Sequence, residues 1–319
     1  MLIFLLVLMA LVILTAFICY RIVFYAKPTK PKAPGEFDLP PDEIYKPHWS
    51  QMAQWQSWIR QLPRQEFSIT SHDGLQLWGT YYECFPGAVT ELMFHGYRGS
   101  AERDLCGGVQ RAFSLGRNVL IVDQRTACRS QGHSITFGIL EKRDCLAWVD
   151  FMVRHFGPDT KIILTGISMG AATVLMAAGE DLPDHVVGVL ADCGYSSAKA
   201  IISKCAADMK LPPKLMYPFI RLGALLFAGF DPDSDSPLEA IRRCKKPVIF
   251  FHGEDDAFVP CDMSREVYEA CTAPKRLVTI PGAGHGLCYI IDPETYLNEM
   301  ADFFTENGVP TRIMEECPL

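Results

Sequence analysis

The stretch KIILTGISMGAATVLMAAGE, residues 161–180, decides how the chain is read. Its first part is a short run of aliphatic and β-branched residues, which predicts a strand. Its second part is rich in small residues and predicts a helix. Between them Ser168 stands between Gly166 and Gly170, the G-x-S-x-G spacing of a serine held on a sharp strand-to-helix turn. Glycine at both flanking positions lets strand and helix approach closely, while the serine takes a strained backbone that exposes its hydroxyl. A helix start there also offers free N–H groups and a positive dipole end. The amide of Met169 is then one donor to an oxyanion. Small residues reach this spacing by chance as well, so the reading needs a base, an acid and a second donor elsewhere in the chain.

Working outward, the pattern alternates. EFSITSHDGLQLWGTYYE reads as a hairpin turning at Asp73 and Gly74. TELMFHG, NVLIVDQR, KIILTGIS, VVGVLADC, PVIFFHG and KRLVTIPG are short apolar runs that end in turn formers. Helical segments such as DCLAWVDFMVRHFG lie between several of them. Strands apolar on both faces, separated by helices, predict an α/β architecture: a mostly parallel, eight-stranded sheet covered by helices on both sides, with sites at the carboxyl ends of the strands. Residues 196–244 break the alternation. They are helical and apolar around Pro212 and Pro213 and are expected to form a small cap inserted between two strands. Met209, Leu215, Met216, Phe219, Leu225, Leu226 and Phe227 would then give the site an apolar roof.

A serine hydroxyl needs a base to take its proton and an acid to orient that base. His285 lies in PGAGHGL after one strand, and Asp255 and Asp256 follow another in FFHGEDDAFVP; Asp192 ends VVGVLAD and offers a third acid. The chain order is serine, acid, histidine. The amide of Tyr97, after ELMFHG, is the candidate second oxyanion donor. His95 reads as structural rather than as a base, Cys193 as buried packing, and His133 as a turn residue. The acidic run from Asp231 to Asp235 reads as a cap for the following helix, since it lacks the glycine and distal glutamate of a calcium loop. No metal or cofactor is expected.

GISMG, FHGYRGS, VDQRTACRSQGHSITFG, FHGEDDAFVP and GAGHG, in this order, resemble the α/β-hydrolase superfamily. More narrowly they are similar to bacterial membrane-anchored or cytosolic members related to serine aminopeptidases and small carboxylesterases. The likeness covers roughly residues 65–308. It implies a Ser168–His285–acid triad, and the family pattern HGxxDxxVP falls on His252, Gly253, Asp256, Val259 and Pro260, which singles out Asp256. It implies a serine hydrolase acting on a carboxylic ester through an acyl-enzyme, with peptidase or amidase action, acyl transfer and a non-catalytic binding protein as rivals. One departure is that Thr126, Ala127 and Cys128 stand where many relatives carry Gly-His-Gly.

The N-terminus has another character. MLIFLLVLMALVILTAFICY, residues 1–20, is apolar for about 30 Å of helix, the thickness of a hydrocarbon core. No basic segment precedes it and no A-x-A site follows, which favours an anchor over 1–26 against a cleaved signal. Arg21, Lys27, Lys30 and Lys32 all follow the run, so the positive-inside rule puts the body, 48–319, in the cytoplasm of a single-pass protein. Twelve cysteines without metal or paired spacing agree with a reducing compartment. Residues 27–47, with six prolines, read as an extended linker, and 48–62 as an amphipathic helix whose tryptophans either pack on the body, the simpler reading, or lie in the membrane interface. A net charge of -7 without a basic cluster argues against nucleic acid as a partner. The expected partners are the membrane and a small ester, with no obligate protein partner evident.

Overall fold

The computed structural model describes residues 1–27, 32, 33, 35–309, 311, 313 and 314. In chain order the helices are α1 (Leu2–Val23), α2 (Trp49–Gln61), α3 (Ala101–Ser114), α4 (Glu141–Phe156), α5 (Met169–Ala178), α6 (Ala198–Asp208), α7 (Pro213–Gly223), α8 (Pro237–Ala240), α9 (Cys261–Ala270), α10 (Cys288–Ile291) and α11 (Pro293–Glu306). The strands are β1 (Gln65–Thr70), β2 (Gln76–Tyr82), β3 (Thr90–Phe94), β4 (Asn118–Asp123), β5 (Ile162–Ile167), β6 (Val186–Asp192), β7 (Val248–Gly253) and β8 (Lys275–Ile280). They form one sheet in the order β1-β2-β4-β3-β5-β6-β7-β8. The first two pairings are antiparallel and the rest parallel.

Successive side chains of the central strands alternate between two cores, one on each face of the sheet. Leu92, Phe94, Leu120, Val122, Ile162 and Leu164 face α4 and α5, where Trp148 is almost completely buried. Met93, Val119 and Ile121 face α3, and Ile163, Leu190, Ile249 and Phe251 face α11. Truncating a residue such as Trp148 or Phe304 would cost about 3–5 kcal/mol. A buried ion cluster pins α3 to the sheet. Glu91 of β3 accepts from Arg111, from Arg117 at 2.9 Å and from the Thr165 hydroxyl at 2.9 Å. Burial alone would raise its pKa, but the two guanidiniums outweigh that and hold it down.

The hairpin turns at Asp73 and Gly74 as the sequence predicts, with Gln65 opposite Tyr81 and Thr70 opposite Gln76. The tryptophan helix α2 lies on α3, with the Trp55 ring so close over Gly107 that a Cβ there would sit 2.7 Å from it. The second half of the proline-rich segment does not hang free. Asp38 is clamped by the buried Gln56, which accepts from its amide at 3.1 Å and donates to its carbonyl at 2.7 Å, and Trp49 Nε1 donates to the Pro40 carbonyl at 2.9 Å. Part of the expected linker, including Lys30, lies outside the described residues.

Helix α1 is long and apolar enough to cross a membrane, and most of its length is exposed. Its C-terminal end is fastened to the body. Phe24 is fully buried between the rings of Phe137 and Phe230, at 5.8 and 5.3 Å between centroids. Helices α6 to α8 lie between β6 and β7, and α7 packs against α1.

Candidate active site

The polar candidates converge at the carboxyl edge of the sheet. Ser168 joins β5 to α5 with φ 56 and ψ -118, a backbone that a residue bearing a Cβ adopts only under strain. Its neighbours explain how this is tolerated. A Cβ on Gly166 would lie 2.1 Å from the Gly170 carbonyl oxygen, and one on Gly170 would lie 2.0 Å from that of Phe94. Only glycine fits either place. The Ser168 amide donates to the Asp192 carbonyl at 2.8 Å, which ties the turn to the end of β6.

His285, in the loop after β8, accepts from the Ser168 hydroxyl through Nε2 at 2.8 Å. Its Nδ1 donates to Asp256 Oδ2 at 2.7 Å. Asp256 follows β7, and its Oδ1 accepts from the amides of Phe258 and Val259 at 2.9 and 2.8 Å. Burial would raise the carboxyl pKa, but bonds from His252, His285 and the Val259 amide outweigh burial and hold it far below the usual range. Asp256 therefore stays ionised and fixes the imidazole tautomer that can accept from the serine. All three side chains are buried.

The competing acids sit elsewhere. Asp255 is exposed at the cavity rim. Asp192 is buried, and its Oδ2 accepts from Tyr296 at 2.9 Å; burial raises its pKa. Tyr97 lines the same cavity as Ser168, and Met169 opens α5. Among the described residues neither amide donates to a backbone carbonyl.

His95 is structural: Nδ1 donates to the Gly96 carbonyl at 2.8 Å and Nε2 accepts from the Gln124 amide at 3.0 Å. Burial lowers its pKa, so the ring is neutral. Cys193 lies beside the carboxylate and imidazole, but burial pushes its thiol pKa well up, leaving a protonated packing group. His133 stacks on Tyr25 with centroids 6.3 Å apart, away from the cavity. The departure from Gly-His-Gly is a structural loop, in which Arg125 pairs with Asp144 at 2.7 Å and with Asp73 at 3.0 Å. The acidic run does not cap α8 as expected. Ser236 does, accepting from the Glu239 amide at 3.2 Å, while Asp231 pairs with Arg221 and Asp235 with Lys142. A serine at the N-cap competes well with aspartate, and the acids find cations instead.

Ser168 and His285 open on a cavity of about 580 Å³. One wall is the Pro40–Tyr45 strap, and another carries Arg98, Arg103 and Asp104. From the insertion only Lys204 and Asp208 of α6 reach it. The apolar roof expected from Met209, Leu215, Met216, Phe219, Leu225, Leu226 and Phe227 is not there. None of the seven lines the cavity, and Met209, Leu215 and Leu226 are exposed. The sequence reading also missed Asp104, whose Oδ2 accepts from the Gly96 amide at 3.0 Å behind the serine, and the strap. The available signal for the strap was Gln56, a polar residue in the buried stripe of α2 beside Ile59.

A mostly parallel eight-stranded sheet, antiparallel at β2, with a strained serine after β5, a carboxylate after β7 and a histidine after β8, is the α/β-hydrolase fold. The family model for the alpha/beta hydrolase fold matches residues 92–234. Among curated proteins, YqkD of Bacillus subtilis is 28% identical over 246 residues, 77% of this chain and 80% of its own length. Protein bem46 of Schizosaccharomyces pombe is 26% identical over 227 residues, 70% of this chain and 69% of its own. Among solved structures, an esterase of Pyrococcus furiosus superposes with a TM-score of 0.66 at 21% identity, covering 89% of this chain and 98% of that one. An acylaminoacyl peptidase of Pyrococcus horikoshii superposes at 0.55 with 18% identity, covering 82% and 44%.

Proposed function

We propose that the protein is a serine hydrolase that cleaves a carboxylic ester. The observation that carries this reading is the continuous chain from Ser168 through His285 to Asp256, at 2.8 and 2.7 Å. Ser168 Oγ attacks the ester carbonyl as His285 Nε2 takes its proton. The Tyr97 and Met169 amides receive the oxyanion, and His285 returns the proton to the departing alkoxide. Water, deprotonated by the same imidazole, then releases the acid from the acyl-enzyme. Asp256 holds the imidazolium without accepting its proton.

The cavity mixes apolar side chains such as Ile44, Met52, Ile167 and Phe258 with charged ones, and its size of about 580 Å³ suits a compact ester. A second reading, cleavage of an amide with a cationic amine end, is favoured by Asp42 and Asp255. These cavity carboxylates have no ion-pair partner among the described residues. The rival in which the acyl group passes to an acceptor other than water is separated by adding alcohols and looking for a transesterified product.

In the same reading α1 is a membrane anchor and the body is cytoplasmic. Support comes from the exposed apolar flank of α1, from Arg21 in its last turn, and from buried free thiols such as Cys106, Cys145 and Cys193. The test is hydrolysis of a p-nitrophenyl ester series and of aminoacyl amides by the full chain in vesicles, beside Ser168→Ala. Ester turnover that depends on Ser168 and favours short acyl chains supports the ester reading; Ser168-dependent turnover of amides alone replaces it with the second.

A further inference from the structure

The end of α1 is capped by the loop that carries the candidate oxyanion donor. The Tyr97 hydroxyl donates to the Val23 carbonyl at 2.7 Å, and Arg98 donates to the Ile22 carbonyl at 2.7 Å. Carbonyls of the last helical turn, which lack partners within the helix, are thus satisfied by residues that also line the cavity. About two turns earlier, α1 meets α7. A Cβ on Gly223 of α7 would lie 2.4 Å from the Ala16 carbonyl oxygen, so the two backbones touch. The π-helical turn Ala224–Ala228 follows, and the Phe227 ring packs edge-on against Phe17 at 5.1 Å and lies 5.8 Å from Tyr20. Leu225 and Leu226 beside it are 45% and 54% exposed, continuous with the exposed apolar flank of α1.

The depth of this contact follows from helix length. A hydrocarbon core of about 30 Å takes roughly 20 helical residues, and the apolar run from Leu2 to Tyr20 fills it. Arg21, stacked over Tyr25 at 3.7 Å, then stands at the headgroup boundary, and Phe17 lies about 6 Å inside it. Phe227, in ring contact with Phe17, is at the same depth.

The geometry points to a second membrane contact: Leu225, Leu226 and Phe227 lie in the acyl-chain region of the leaflet beside α1. The partner is the lipid bilayer, and the contact fixes the cavity mouth at the membrane surface. The proposal rests on the reading of α1 as an anchor and is independent of the chemistry at Ser168.

The test places the photo-crosslinker p-benzoylphenylalanine, one position at a time, at Leu14, Leu225, Leu226 and Asp159 of the full chain in phosphatidylcholine vesicles. Adducts are read by mass, and retained folding is checked by circular dichroism. All four positions are exposed, so the label leaves packing intact. Lipid adducts at Leu14, Leu225 and Leu226 with none at Asp159 are expected. Adducts at Leu14 alone would leave the anchor standing and overturn the proposal, as would crosslinks from Leu225 and Leu226 to a second copy of the chain. Absence of lipid adducts at Leu14 too would overturn both.

Discussion

The strand-end site and the α1–α7 face differ in how tightly each specifies its own residues. At the elbow, backbone oxygens stand 2.1 and 2.0 Å from where a Cβ of Gly166 or Gly170 would be, and the imidazole and the Asp256 carboxylate have partners at hydrogen-bond distance. The residue types there follow from local geometry. On the α1–α7 face the close approach at Gly223 is comparably specific, but the side chains around it need only be apolar. Leu226 would suit a pocket roof, a core or a lipid surface equally well. Chemistry written into short contacts can be read from a motif, whereas the direction in which an apolar helix faces depends on what lies across from it.

The largest effect expected from this difference is at the acid. Asp256→Asn should lower kcat about 10³–10⁴-fold, because an amide in that place no longer selects the imidazole tautomer. Asp255→Asn, one residue away and exposed, should leave kcat within about twofold on the same esters, the usual insensitivity of a surface site. Equal losses in the two variants would remove the distinction between a specified site and its surroundings. Next, Gly166→Ala should destabilise the fold by about 3 kcal/mol or more, since the clashing atom is backbone and cannot turn aside. Chemical denaturation measures it.

Gln56→Ala comes third. It leaves the Asp38 amide and carbonyl without their partner, at a cost of about 1–3 kcal/mol, and frees the strap that walls the cavity. A rise in KM larger than the fall in kcat is the expected kinetic signature.

A weaker effect should appear with pH. His95 has a lowered folded pKa through burial, so the unfolded chain binds more protons below its ordinary value of about 6.5. Stability then falls as pH drops from about 7 towards the lowered value. His95→Asn should flatten that slope in thermal melts, and an unchanged slope would mean that His95 is not its source. Smallest of all, Leu215→Ala and Leu226→Ala should each change stability in detergent by less than about 0.5 kcal/mol and leave the ester chain-length profile unaltered. A changed profile would restore the roof that the sequence reading expected.

Much of the fold was legible because it rests on local signals. The turn at Asp73 and Gly74, the strand-to-helix junction at Ser168 and the short continuous apolar runs of β3 to β7 each carry their own pattern. Ser168 and His285 were visible on motif alone. Asp256 was separated from Asp255 only by family resemblance, since neighbouring carboxylates in one loop carry no positional signal; the structure distinguishes them by the amides of Phe258 and Val259. The strap, Asp104 and the true lining of the cavity were not legible. Asp38 and Gln56 are 18 residues apart and meet only after α2 has docked on α3. The helices between β6 and β7 pack against α1, a partner some 200 residues earlier in the chain, which no local pattern announces.

The most direct test of the central claim is to treat the folded full-length protein with a fluorophosphonate and locate the adduct by peptide mass. The expected result is a single phosphonylated residue, Ser168, with labelling abolished in Ser168→Ala and sharply slowed in Asp256→Asn. Labelling at another serine, or a folded protein in which Ser168 stays unmodified, would contradict the role assigned to the elbow.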